Sequence, residues 1–82
     1  SSNKIFFIES KIVTLGIKEV GQLWAYSIIA DPETSFLIST KEISSSLLKI
    51  ISNDEDFLSF SNQKKIKIGI LDRNGNVEIY NE

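Results

Sequence analysis

The chain has 82 residues, 41% of them hydrophobic and 24% charged, and its nine basic and eleven acidic side chains leave a formal net charge of −2. The absence of cysteine and histidine excludes disulfides, thiolate nucleophiles, zinc–thiolate sites and histidine general bases, and the negative balance excludes the overall basic field of a typical DNA-binding domain, so contact with nucleic acid must be local. No apolar run approaches the roughly 20 residues of a bilayer helix and no signal-peptide pattern opens the chain, so residues 1–82 read as one soluble, cytoplasmic domain.

Residues 4–13, KIFFIESKIV, are expected to form a strand, and the consecutive bulky side chains Ile5 to Ile8 suit one buried on both faces, inside a sheet. Thr14 to Gly16 link it to a helix from Ile17 to Ala30. The buried stripe of that helix is expected to be Ile17, Val20, Leu23 or Trp24, and Ile28, which makes Trp24 a core residue. Asp31 and Pro32 stop the helix, because proline disfavours a helical residue before it. Thr34 to Ser39 form a second strand, and strand, helix and strand with short links make a βαβ unit with parallel strands.

Ser39 and Glu42 have capping-box spacing and are expected to open a second helix that buries Ile43, Leu47 and Ile50 or Ile51 and ends near Asn53. Residues 54–60, DEDFLSF, add a helical turn with its acids at the favourable N-terminal end. From Lys65 to Leu71, Ile66, Ile68 and Ile70 alternate with Lys65, Lys67 and Gly69, the pattern of a strand buried on one face. Asn74-Gly75, within Arg73 to Asn76, predicts a type I′ hairpin turn, and Val77 to Tyr80 the return strand. The expected fold is α/β, in the order β-α-β-α-β-β, with a mixed sheet flanked by helices.

Four polar residues stand out in this order. Glu9 and Lys11, two apart at the end of the first strand, share one sheet face, while Gln22 and Tyr26, four apart, share one helix stripe. Glu9-Ser10-Lys11 after an apolar strand, then a helix bearing Gln22-x-x-x-Tyr26 and a βαβ return, resembles the PD-(D/E)xK nuclease superfamily, and its RecB-like branch above all. The resemblance covers residues 4–39 and implies a truncated restriction-endonuclease-like core that acts on DNA phosphodiester bonds with Mg²⁺ or Mn²⁺. By that resemblance Glu9 is a metal ligand, joined by a neighbouring carbonyl such as that of Ser10. Lys11 positions the attacking water or stabilises the transition state, Gln22 orients Lys11 or the scissile phosphate, and Tyr26 supports that shell or touches the nucleic-acid backbone. Phosphodiester hydrolysis does call for a hard cation on oxygen ligands and a nearby positive group.

The chain departs from the family pattern in one respect. The family draws a second metal-binding acid from a hairpin upstream of the acid-x-Lys strand, and only Ser1, Ser2 and Asn3 precede that strand here. The edge beside Phe6, Phe7 and Ile8 is then expected to be covered by a second copy, making a homo-oligomer, or by an upstream segment. The alternative function is a non-catalytic interaction domain of the same fold, dimeric through that edge, and a third reading is an unrelated α/β binding module. Blander readings apply residue by residue: Glu9 and Lys11 as a solvated pair, Gln22 and Tyr26 as a semi-exposed stripe, and Asp54, Glu55 and Asp56 as an acidic helix start. Lys64, Lys65 and Lys67 with Arg73 either touch phosphate or discourage edge pairing, and Asp72 either flanks the hairpin or replaces the absent acid. No glycine-rich phosphate loop is present.

Overall fold

Alternation along Thr34–Ser39 decides the layering: Ser35, Leu37 and Ser39 are buried, whereas Thr34, Phe36 and Ile38 are only half-buried. One face of the sheet is therefore covered and the other is not. The computed structural model describes residues 4–61 and 63–81, so Ser1, Ser2 and Asn3 lie outside it. It comprises β1 (Phe6–Lys11), α1 (Ile17–Ala30), β2 (Thr34–Ser39), α2 (Ser45–Asn53), a 3₁₀ turn (Glu55–Leu58), β3 (Ser59–Ser61), β4 (Lys64–Leu71) and β5 (Val77–Ile79). No helix among the described residues is long and apolar enough to cross a membrane.

The five strands form one mixed sheet. β1, β2 and β4 run parallel, and the far side of β4 is shared by β3 near its start and β5 near its end, both antiparallel to it. Each parallel step needs a crossover, and α1 and α2 supply the two. Val20 and Leu23 of α1 and Leu47 of α2 join Leu37, Ile66 and Ile68 in a single buried cluster. In register, Leu37 faces both Glu9 and Ile68, so both helices lie over the same face. Complete burial of each such side chain contributes about 1.5–3 kcal/mol, enough for these few contacts to set the register.

The boundaries of α1 and β2 agree with those expected from the sequence, and so does the parallel pairing. β1 corrects the expectation of a strand buried on both faces. It is an edge strand, paired among the described residues with β2 alone, and Phe6 is 51% and Ile8 70% exposed. An apolar run states a demand for cover, but the two helices that exist take the opposite face.

The α1 stripe also shifts. Val20, Leu23 and Ser27 are buried, while Ile17, Trp24 and Ile28 remain 42–49% exposed. Ser27 replaces Ile28 because its hydroxyl finds partners: it donates to Leu23 O at 2.7 Å and lies 2.6 Å from Ser35 Oγ. Ser27 has only one proton, already given to Leu23 O, so Ser35 is the donor between them. Trp24 stays at the margin, its indole N–H donating to Ser59 O at 3.1 Å. Asp31 closes the helix in the left-handed region, its N–H bonded to Ser27 O, and Pro32 follows.

The capping box expected at Ser39 and Glu42 does not form. Ser39 is 1% exposed and its hydroxyl is already engaged, donating to Val13 O and accepting from Lys41 N. Residue 43 is still extended, bridging Leu15 in parallel, and Ser44 caps α2 instead by accepting from Leu47 N at 3.1 Å. The helix ends at Asn53 as expected. The hairpin is not a type I′ turn either: Leu71 pairs with Val77, and of the intervening residues only Gly75 has positive φ. A type I′ turn needs both central residues there. The Asp72 carboxylate favours the longer loop by accepting from the amides of Asn74 and Asn76. β3 was absent from the expected order, since three residues are too short to show a period. Gly69 is required by contact, because a Cβ there would lie 2.9 Å from methyl groups of both Val77 and Ile79.

Candidate active site

Three backbone ties hold the end of β1 and the link to α1. Lys11 O accepts from Thr40 N, Leu15 N donates to Glu42 O, and Ser44 N donates to Leu15 O. Leu15 is fully buried. Glu19 then reaches back so that its carboxylate accepts from the Gly16 N–H at 2.8 Å, satisfying one of the free amides at the start of α1. With both ends fixed, α1 crosses over the sheet with Val20 and Leu23 inward and its Gln22 and Tyr26 flank towards β1.

The outcome is a groove of about 510 Å³ lined by Glu9, Lys11, Gln22, Tyr26 and Ala25. All four side chains singled out by spacing thus line one groove, with Ala25 the lining residue that spacing did not indicate. A small side chain one helical position from Tyr26 was a weak signal for it. Lys11 Nζ lies 3.8 Å from Glu9 Oε2, and the two side chains are 29% and 37% exposed. A pair this long and this wet is worth about 0–1 kcal/mol. It does not hold the fold together, and either group is available to a ligand.

Ser10 is placed differently. Its side chain lies on the face opposite Glu9 and Lys11, since it is in register with Ile38, so only its peptide group can belong to the site. Ile5, Lys11 and Val13 turn their carbonyls to partners on the β2 side. Alternation therefore directs the Ser10 carbonyl to the open edge of β1.

The remaining candidates separate. Asp72 gives one carboxylate oxygen to two hairpin amides and acts as the turn's acceptor. Asp54 accepts from Asp56 N as the cap of the 3₁₀ turn, in line with an acidic helix start. The basic cluster splits, with Lys64 bonded to Asp31 at 3.2 Å and Lys67 in register with Phe36 on the uncovered face. Among the described residues no three His, Cys, Asp or Glu side chains gather into a group able to hold a metal ion. Glu9 and the Ser10 carbonyl alone fall short of the six oxygen ligands a hard cation takes, even with waters making up part of the set.

A second groove, about 440 Å³, runs along the other flank of α1 between Ile17, Gly21, Trp24 and Phe57. Its walls are mainly apolar, and it exists because Ile17 and Trp24, expected in the core, stay at the surface. Comparison of the chain with protein-family models, curated proteins and solved structures matched nothing.

Proposed function

We propose that the groove between β1 and α1 is half of a metal-dependent phosphodiesterase site, and that the chain is a nuclease-like domain acting on DNA. The observation that carries this reading is the gathering of a carboxylate, an ammonium, an amide and a phenol along one groove. In the resemblance to the PD-(D/E)xK superfamily, with its restriction-endonuclease-like core, these same four residues form the site. Bound Mg²⁺ or Mn²⁺ would polarise the phosphate and lower the pKa of water. The chain's own residues do the rest: Glu9 and the Ser10 carbonyl offer oxygen ligands, and Lys11, released from its weak pair with Glu9, meets phosphate charge. The Gln22 amide donates to a phosphate oxygen or orients Lys11, and Tyr26 contacts the nucleic-acid backbone. Activity in this reading depends on a second acid brought by a partner chain, because Asp72 is committed to its turn.

The test is cleavage of labelled single-stranded, duplex and branched DNA with Mg²⁺ or Mn²⁺. The chain cuts, and Glu9→Ala abolishes cutting while its thermal unfolding stays within about 0.5 kcal/mol of the parent, as for a surface change. Cutting that persists in Glu9→Ala refutes the assignment. A second reading, a non-catalytic interaction domain, is favoured by the edge of β1 that no described residue pairs, and absence of cutting by the parent chain selects it.

A further inference from the structure

Among the described residues β1 ends the sheet, with half of its backbone groups unpaired. Since the carbonyls of Ile5 and Lys11 bond towards β2, the amides and carbonyls of Phe6, Ile8 and Ser10, the alternate residues of β1, point outward. Such a row is a template for another strand, and natural edges are usually blunted by proline, bulges or inward charges. β1 has no proline, and its two charges on the helix-covered face, Glu9 and Lys11, are of opposite sign. Ile8 on its uncovered face is 70% exposed, and Ile12, in the bend just past the strand, is 78% exposed.

We propose that this edge pairs with the same edge of a second copy, antiparallel, about a two-fold axis at Ser10. The charge pattern selects both partner and register. In a symmetric antiparallel pair one residue sits opposite itself, and residues directly opposite one another share a face. Centred on Ile8, Glu9 meets the second copy's Phe7. Centred on Glu9 or on Lys11, like charges meet. Centred on Ser10, each Glu9 meets the second copy's Lys11, and each Ile8 reaches the end of the second copy's strand, where Ile12 follows. That register matches both charges at once.

The outward amides of Ser10, and of Ile8 towards the other copy's strand end, then form the ladder, and the two sheets become one continuous sheet. The second copy's strand also runs beside the groove that Glu9 and Lys11 line. The dimer holds whether or not that groove cleaves phosphodiesters, and its test contains no nucleic acid.

Sedimentation velocity at low micromolar concentration reads the association of the full chain and of two charge variants, Glu9→Lys and Lys11→Glu. The parent chain sediments as a dimer. Each variant alone sets like charges opposite one another twice and weakens association by on the order of tenfold or more. An equimolar mixture restores the dimer, because every Lys of one variant then faces a Glu of the other, and the mixture itself shows that both variants are folded. Ser10→Pro removes an outward N–H without touching the β2 ladder and also gives monomer. A monomeric parent chain, variants that dimerise like the parent, or a mixture that stays monomeric overturns the proposal.

Discussion

Asp72 shows how one residue's role is decided by what its oxygens already hold. On paper it is an acid at a strand end, well suited to complete a metal site. In the structure its Oδ1 accepts from Asn74 N at 2.8 Å and Asn76 N at 2.9 Å, which fastens the β4–β5 loop. Asp72→Ala should therefore lower stability by about 1–2 kcal/mol in urea unfolding, the value of charge-assisted bonds lost at an exposed turn. Its stability should also respond little to Mg²⁺. A variant as stable as the parent chain would show that the loop does not depend on this carboxylate. Glu9 is the converse case: its one partner among the described residues is a lysine at 3.8 Å, so it contributes little to the fold and remains open to chemistry.

At the scale of elements, the start of α2 separates spacing from structure. Ser39 and Ser44 both precede helix-forming residues, and Ser39 has the better capping-box pattern. Ser44 is nevertheless the cap, because Leu15 and Ile43 hold the preceding segment extended. Ser44→Ala should cost about 1 kcal/mol and speed hydrogen exchange at the Leu47 amide. Ser39→Ala should instead loosen the link after β1, where Val13 O loses its donor, and leave Leu47 exchange unchanged. Faster exchange at Leu47 in Ser39→Ala would restore the capping box expected from the sequence.

Across the whole molecule, protection should fall from the centre of the sheet to its open side. β4 has partners along both edges and supplies Ile66 and Ile68 to the buried cluster, so its ladder amides should open only with global unfolding. The outward amides of Ile8 and Ser10 should exchange fast in dilute solution and slow as protein concentration rises, a dependence that mass action requires of a pairing edge. Exchange at these positions that is independent of concentration would mean that the edge pairs with nothing in solution.

What the sequence determined by itself was local. Period and stop signals sufficed for α1, for β2 and its parallel pairing, for the core isoleucines of β4 and for the end of α2, because each depends on contacts within a few residues or on a crossover of fixed length. The meeting of Glu9 and Lys11 with Gln22 and Tyr26 was legible for the same reason, since one βαβ unit brings them together. Only the tertiary structure decided which face the helices cover, and with it that β1 is an edge and that Ser27 rather than Ile28 is inside. Ile28 is the more apolar of the two, but Ser35 lies beneath Ser27, and among the described residues no layer covers the far face of the sheet. Burial depends on which neighbours arrive, and no residue's own character specifies its neighbours.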